Sequence, residues 1–246
     1  MIMLRSSGLF LLAPILGHKS IPLLVRVGMI VLFAIILVTA MGNVALPEIN
    51  SLFQLVGIAF KELLVGLIIG FVFMLILLAA QAAGSVVGYQ IGLYLANVLD
   101  PNTHSQVSVI GQFWFLVAML IFLTINGHHM IISAYSDSFE LIPPGYVAMN
   151  GAVGEMMIKY TAYLFVIALK IASPVMITLF LTDVALGVVA KMMPTMNVFF
   201  VGFPIKIGVG LMVLAMSLPI VAYVLEKAIH HLDKELHLMF LAMGKA

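Results

Sequence analysis

Residues 63–80 read LLVGLIIGFVFMLILLAA, a run of apolar and small residues without one polar side chain. A helix of about 18 such residues is long enough to cross the hydrocarbon core of a bilayer. A helix also satisfies every backbone amide and carbonyl within a single segment, which lipid requires. The run therefore predicts a membrane helix, and it indicates the fold more strongly than any other stretch of the chain.

The composition of the whole chain agrees with a membrane location. The 246 residues are 64% hydrophobic and 9% charged, whereas soluble domains carry about 45–50% apolar and about 25% charged residues. Lipid or partner subunits must therefore cover much of the surface. The net charge of +1 argues against a nucleic-acid partner. The absence of cysteine excludes disulfides, thiolate metal sites and a cysteine nucleophile.

Four further apolar regions occupy residues 21–46, 107–125, 161–181 and 198–225. They lack the alternating pattern of membrane barrel strands. We therefore expect an all-α membrane protein, a bundle of apolar and partly broken helices that forms a single domain over residues 1–246. Pro174, Pro204 and Pro219 lie inside apolar regions and are expected to kink or break helices. Residues 226–234 alternate charge and histidine, which predicts a solvated helix end.

Charged residues interrupt the apolar regions. A charge at the bilayer centre costs at least about 2.5 kcal/mol, so each of these residues is expected to have a partner or water. Lys191 follows Asp183 by about two helical turns, and for Asp183 both a proton relay and a structural ion pair stay open as interpretations. The candidate intramembrane charges are Arg26, Lys61, Glu62, Asp183, Lys191 and Lys206.

Small residues recur at every fourth position at Ala80, Gly84, Gly88, Gly92 and Ala96. In a helix this spacing makes a strip of nearly bare backbone, which allows another helix to approach closely. We call these residues the small-residue strip. It can serve packing within the chain or form a dense seam between subunits, and both hypotheses predict contact with protein.

The sequence offers no candidate catalytic residue, metal site or cofactor site. The adjacent histidines of His128-His129 and His230-His231 diverge by about 100° in a helix, so neither pair suits a shared metal ion. A nucleophile elbow and a G-x-x-x-x-G-K phosphate loop are both absent. We therefore expect a protein that is not an enzyme.

Turn residues mark two breaks between helices. The Asp100-Pro101-Asn102 sequence predicts a helix that ends near Leu99. Asn126-Gly127 predicts a second break after the region at residues 107–125.

Several short motifs follow one another over nearly the whole chain. They are Ala13-Pro14, Lys61-Glu62, residues 66–71 (GLIIGF), residues 88–93 (GYQIGL), Asp100-Pro101, residues 122–128 (FLTINGH), residues 138–143 (SFELIP), Met193-Pro194 and residues 201–204 (VGFP). In this order they resemble the FliR family of type III secretion export-gate proteins. Fewer residues precede the Ala13-Pro14 pair than in the family, which predicts a truncated first helix or a misassigned start codon.

The resemblance implies a function that composition alone does not give. FliR-like proteins assemble with FliP and FliQ into a pore-forming export gate and contact FlhB. The gate lies in the bacterial inner membrane at the flagellar basal body and passes unfolded flagellar proteins. Helices of the family form tilted hairpins that neighbouring subunits support.

The resemblance also implies a pore plug, because the family's loop after the glycine-rich helix projects into the closed pore. The matching residues, which we call the plug segment, are Leu95, Ala96, Asn97, Val98, Leu99, Asp100, Pro101, Asn102, Thr103, His104, Ser105 and Gln106.

Two alternatives to the flagellar gate stay open. The first is an export-gate homologue in a virulence injectisome. The second is a self-contained small-molecule transporter that uses Asp183 and Lys206 beside helices broken at Pro174 and Pro204.

Overall fold

A computed structural model of the chain describes residues 1–17, 20–41, 47–48, 51–93, 108–195 and 197–244. Within these residues the regular structure is helical, which confirms the expected all-α class. The helices are α1 (Ile2–Leu12), α2 (Leu23–Met41), α3 (Leu52–Ile91), α4 (Val109–Thr124), α5 (Gly127–Leu141), α6 (Gly151–Met192) and α7 (Val198–Gly244).

Among the described helices, α3, α6 and the Phe200–Gly244 part of α7 are long and apolar enough to cross a membrane. Helices α4 and α5 pass the same test only as a pair, and they are bent by 67° at the break between them. The break confirms the turn expected at Asn126-Gly127, since Asn126 has a φ of 58° and Gly127 leaves no room for a side chain against the Phe122 ring.

The chain divides into two compact units. Unit 1 consists of Met1–Ile76, Phe122–Tyr163 and Ala228–Ala246, and unit 2 of Leu77–Ile121 and Leu164–Lys227. The helices α3, α6 and α7 each contribute to both units. Buried side chains of unit 1 include Phe10, Ile69, Phe73, Phe122, Phe139 and Phe240. Those of unit 2 include Leu77, Val87, Trp114, Ile171, Leu179 and Val221.

The prolines do not break the helices, because α6 runs through Pro174 and α7 runs through Pro204 and Pro219. A kink at these positions stays a prediction. Proline at position 174 cannot donate to the carbonyl of Lys170, four residues earlier. The Ser173 hydroxyl donates to that carbonyl instead, at 2.9 Å. Such replacement bonds keep a proline-containing membrane helix continuous.

The expected helix end at residues 226–234 is wrong, although Glu226, Lys227, His230, His231 and Lys234 are exposed. Helix α7 continues to Gly244 and buries an apolar stripe that includes Ile229, Leu232, Leu236 and Met239. These residues recur every three to four positions, which is the period of one helix face. The charged residues and histidines lie away from this stripe, so the segment is amphipathic, and from Ala228 onward it belongs to unit 1.

Candidate functional site: small-residue contacts and buried charges

In unit 1, glycines on α3 allow the backbone of α1 to lie directly against the backbone of α3. A Cβ atom at Gly66 would overlap the carbonyl oxygen of Arg5, and one at Gly70 would lie 2.8 Å from the Ala13 nitrogen. From the other side, a Cβ atom at Gly8 would overlap the Leu63 carbonyl. Backbone-to-backbone packing of this kind needs small residues on both helices.

The close approach of α1 places Arg5 in a fully buried ion pair with Glu62 of α3. Arg5 Nε donates to Glu62 Oε2 at 2.8 Å, and both side chains are 0% exposed. The other guanidinium nitrogens donate to α5 and the residue after it. Arg5 Nη1 donates to the Ser138 carbonyl at 2.8 Å and Nη2 to the Ile142 carbonyl at 3.2 Å. The guanidinium also lies over the Phe139 ring, 4.1 Å from its centroid.

The second oxygen of Glu62 binds the turn after α5. Glu62 Oε1 accepts the Gly145 amide at 2.7 Å, and Gly145 has a φ of 93°, a conformation that favours glycine. Next to this pair, the Ser6 hydroxyl and the Tyr135 hydroxyl form a short hydrogen bond between α1 and α5. We call Arg5, Glu62, Ser138, Ile142 and Gly145 the Arg5 network. It connects α1, α3, α5 and the following turn.

Glu62 was predicted to be an intramembrane charge, whereas Arg5 was not predicted to belong to the site. A signal was present, because Arg5 follows four apolar residues and lies one turn before Gly8, a residue that permits close packing. The pairing itself joins residues 57 positions apart, and no local pattern specifies it.

The small-residue strip contacts α4 within unit 2. A Cβ atom at Gly84 would lie 2.6 Å from the Ile110 carbonyl oxygen and 2.6 Å from Trp114 Cδ1, and one at Gly88 would lie 2.7 Å from Ser108 Oγ. These distances are too short for any side chain, so this part of the strip packs against the same chain. Ala80 is buried, while Ala96 lies outside the described residues. A seam between subunits stays a proposal.

Helix α3 ends at Ile91, earlier than the predicted end near Leu99. Gly92 has a φ of 95°, a left-handed conformation that commonly terminates helices at glycine. A Cβ atom there would also lie 2.9 Å from Phe203 Cε2. The whole plug segment, Leu95 to Gln106, lies outside the described residues. By its position it joins α3 to α4, whose first turn Ser108 caps by accepting the Gly111 amide at 3.1 Å.

The remaining predicted charges lie in different surroundings. Lys206 Nζ lies 2.7 Å from Asp183 Oδ1 in unit 2, with side chains 24% and 46% exposed. Arg26 is half-buried and its Nη2 donates to the Gly17 carbonyl at 3.1 Å. Lys61 and Lys191 are exposed. Asp183 therefore has its ion-pair contact with Lys206 and not with Lys191.

The described part of the chain contains no arrangement of side chains suited to binding a metal ion. None of its His, Cys, Asp and Glu side chains form a group of three or more that could hold an ion. The rings of His128 and His129 are in contact, with centroids 4.2 Å apart and planes tilted by 40°. The absence of a metal or cofactor stays a prediction.

Fold and contacts together define an all-α membrane protein whose helices pack through small residues and whose buried charge is paired. The model of bacterial export proteins, family 1, matches residues 1–232. The chain belongs to this family. That family description concerns export and names no catalytic activity.

Several curated relatives are similar over most of the chain. The flagellar biosynthetic protein FliR of Bacillus subtilis (strain 168) is 34% identical over 234 residues, which cover 92% of this chain and 88% of the relative. FliR of Escherichia coli (strain K12) is 30% identical over 220 residues, which cover 89% of this chain and 84% of the relative. These similarities confirm the resemblance to the FliR family.

Proposed function

We propose that the chain is a structural and gating subunit of the bacterial flagellar type III protein-export gate, without enzymatic activity. In this proposal it lies in the inner membrane at the flagellar basal body. It forms the substrate channel with FliP- and FliQ-like subunits and contacts an FlhB-like subunit. The observation that carries the proposal is the family match over residues 1–232 together with relatives named for flagellar biosynthesis.

The uneven burial of the long helices supports a subunit that works inside an assembly. The most apolar stretch of α3 is 61% buried, whereas those of α6 and α7 are 33% and 22% buried. Large exposed side chains such as Phe165, Phe180 and Met216 need lipid or partner subunits around them. The tilted-hairpin arrangement in an assembly belongs to the same proposal.

The gating part of the proposal concerns the plug segment. In the sequence, the segment lies between the end of α3 at Ile91 and the start of α4 at Val109. These two helices pack closely in unit 2, which supports the proposal that they hold the segment as a loop. Such a loop, placed in the channel at rest, obstructs it until a substrate arrives.

Replacing Leu95 to Gln106 with a glycine-serine segment of the same length is expected to make cells leaky to ions or small solutes. The replacement keeps the connection from α3 to α4 but removes the side chains that obstruct the channel. The measurement is ion permeability of cells that express the complete export apparatus. Co-purification of the partner subunits controls for assembly, and an unchanged permeability with assembly intact would refute the plug.

The transporter alternative rests on the Asp183–Lys206 pair and is tested by substrate uptake into liposomes that contain only this chain. Export-family membership favours the gate. A virulence injectisome is a variant of the same gate, and the genes that neighbour this one distinguish the two systems.

A further inference from the structure

Lys170 lies at the centre of the apolar part of α6. Residues 160–182 contain no other charged side chain, and Lys170 is ten residues after Tyr160 and twelve before Thr182. At a rise of about 1.5 Å per residue, either end of this stretch is about 15 Å or more away. The four-carbon stem of lysine is much shorter than this distance, so the ammonium cannot extend to a lipid headgroup.

Lys170 is an exposed residue on the surface of unit 2. Among the described residues, neither a salt bridge nor a side-chain hydrogen bond to it is present. A charge in this position costs at least about 2.5 kcal/mol in lipid. Contact of this part of α6 with lipid is therefore energetically unfavourable.

The exposed surface around Lys170 is mainly apolar. Val166 and Ile177, on the same face of α6, are 44% and 60% exposed, and Leu169, on the adjacent face, is 57% exposed. The polar Ser173, one turn after Lys170, donates its hydroxyl to the Lys170 carbonyl. A water-filled passage would leave the apolar side chains hydrated, which is unfavourable at about 25 cal/mol per Å² of apolar surface. A mainly apolar surface with one central cation is complementary to a mainly apolar protein helix with one anion.

A second copy of this chain that meets the first through the same face does not provide that anion. Residues 160–182 contain no carboxylate, so two copies that met through this face would bring lysine against lysine. We propose that the exposed face of α6 around Lys170 is an interface for a different membrane subunit, whose helix places an aspartate or glutamate carboxylate against the Lys170 ammonium. This inference rests on the proposed function, because it needs an assembly of several subunits.

Carbodiimide coupling tests this contact without any substitution. In the native complex, dicyclohexylcarbodiimide adds a protonated carboxyl group in the apolar interior to give an O-acylisourea. The adjacent neutral lysine amine then attacks its carbonyl, which forms an amide bond and releases dicyclohexylurea. Mass spectrometry of the digested complex is expected to find Lys170 joined to an acidic residue of a partner subunit. A bond from Lys170 to a carboxylate of its own chain would overturn the proposal. Labelling of Lys170 in the intact complex by a water-soluble amine reagent would overturn it as well.

A set of variants measures the contribution of the charge. Lys170→Met is expected to lower recovery of the complex at least about tenfold, because it leaves the partner's carboxylate buried and unpaired. Lys170→Arg keeps the charge and is expected to retain most of the complex. Lys159→Met is the matched control, since Lys159 lies three turns earlier on the same face, is 72% exposed and makes only a 3.9 Å contact with Glu235.

The amount of each variant in the membrane is measured alongside, which separates a folding defect from lost assembly. Normal recovery of the complex with Lys170→Met, together with no coupling at Lys170 in the native chain, would overturn the interface alone. Failure of the native chain to bind any partner subunit would overturn the proposed function and this inference with it.

Discussion

Arg5→Met is expected to lower the free energy of unfolding of the chain by about 3–5 kcal/mol, the usual effect of breaking a buried ion pair. The substitution removes the cation but leaves the Glu62 carboxylate in a site with 0% exposure. It also removes the donors to the Ser138 and Ile142 carbonyls, on α5 and at its end. The measurement is unfolding of the detergent-solubilised chain by titration with sodium dodecyl sulfate, followed by circular dichroism.

Two further variants show whether the effect comes from an uncompensated charge. The double variant Arg5→Met, Glu62→Leu is expected to recover much of the lost stability, since an apolar pair often replaces a buried ion pair without loss. Lys159→Met breaks an exposed contact and is expected to change stability by less than about 1 kcal/mol. Native-like stability of Arg5→Met would show that the Arg5 network does not hold α1 in place.

Gly66→Ala is expected to destabilise the chain by about 1–3 kcal/mol, the range for overpacking a tight contact. The added methyl group would overlap the Arg5 carbonyl oxygen, and backbone atoms of two packed helices cannot move aside as a flexible side chain does. The shift would also displace Arg5 from Glu62. The same unfolding titration measures the effect, and faster proteolysis near the N-terminus would locate it on α1.

Gly57→Ala, on the same helix, is the matched control, because a Cβ atom there has nothing within 4 Å. Alanine forms helix better than glycine by about 1 kcal/mol, so this variant is expected to be as stable as the native chain or more stable. The two glycine substitutions are therefore expected to have opposite signs. Equal effects would mean that the contact between α1 and α3 is loose.

Local hydrophobicity was enough to predict part of the fold. The run at residues 63–80 correctly identified the middle of α3, because apolar length is a local property. It underestimated the helix, which begins at Leu52. Lys61 and Glu62 looked like an interruption, since nothing nearby in the sequence shows that Arg5 neutralises Glu62. Burial of a charge depends on a partner that is distant in the chain.

The spacing of small residues along α3 predicted close helix packing, but it did not predict which helix would make the contact. The period of four at Gly84 and Gly88 indicated a bare helix face, and α4 lies against it. Spacing carries no information about which helix approaches, so the sequence left both a neighbour in the chain and a neighbouring subunit open. The sequence also did not show that α6 continues through Pro174, where the Ser173 hydroxyl donates a hydrogen bond to the Lys170 carbonyl.

Native mass spectrometry of the assembled complex shows whether this chain works as one subunit of an export gate. The tagged chain would be co-expressed with its neighbouring genes and purified in mild detergent. We predict a stable mixed complex that contains FliP- and FliQ-like chains together with this one. A stable monomer or homodimer, free of those chains, would contradict the account.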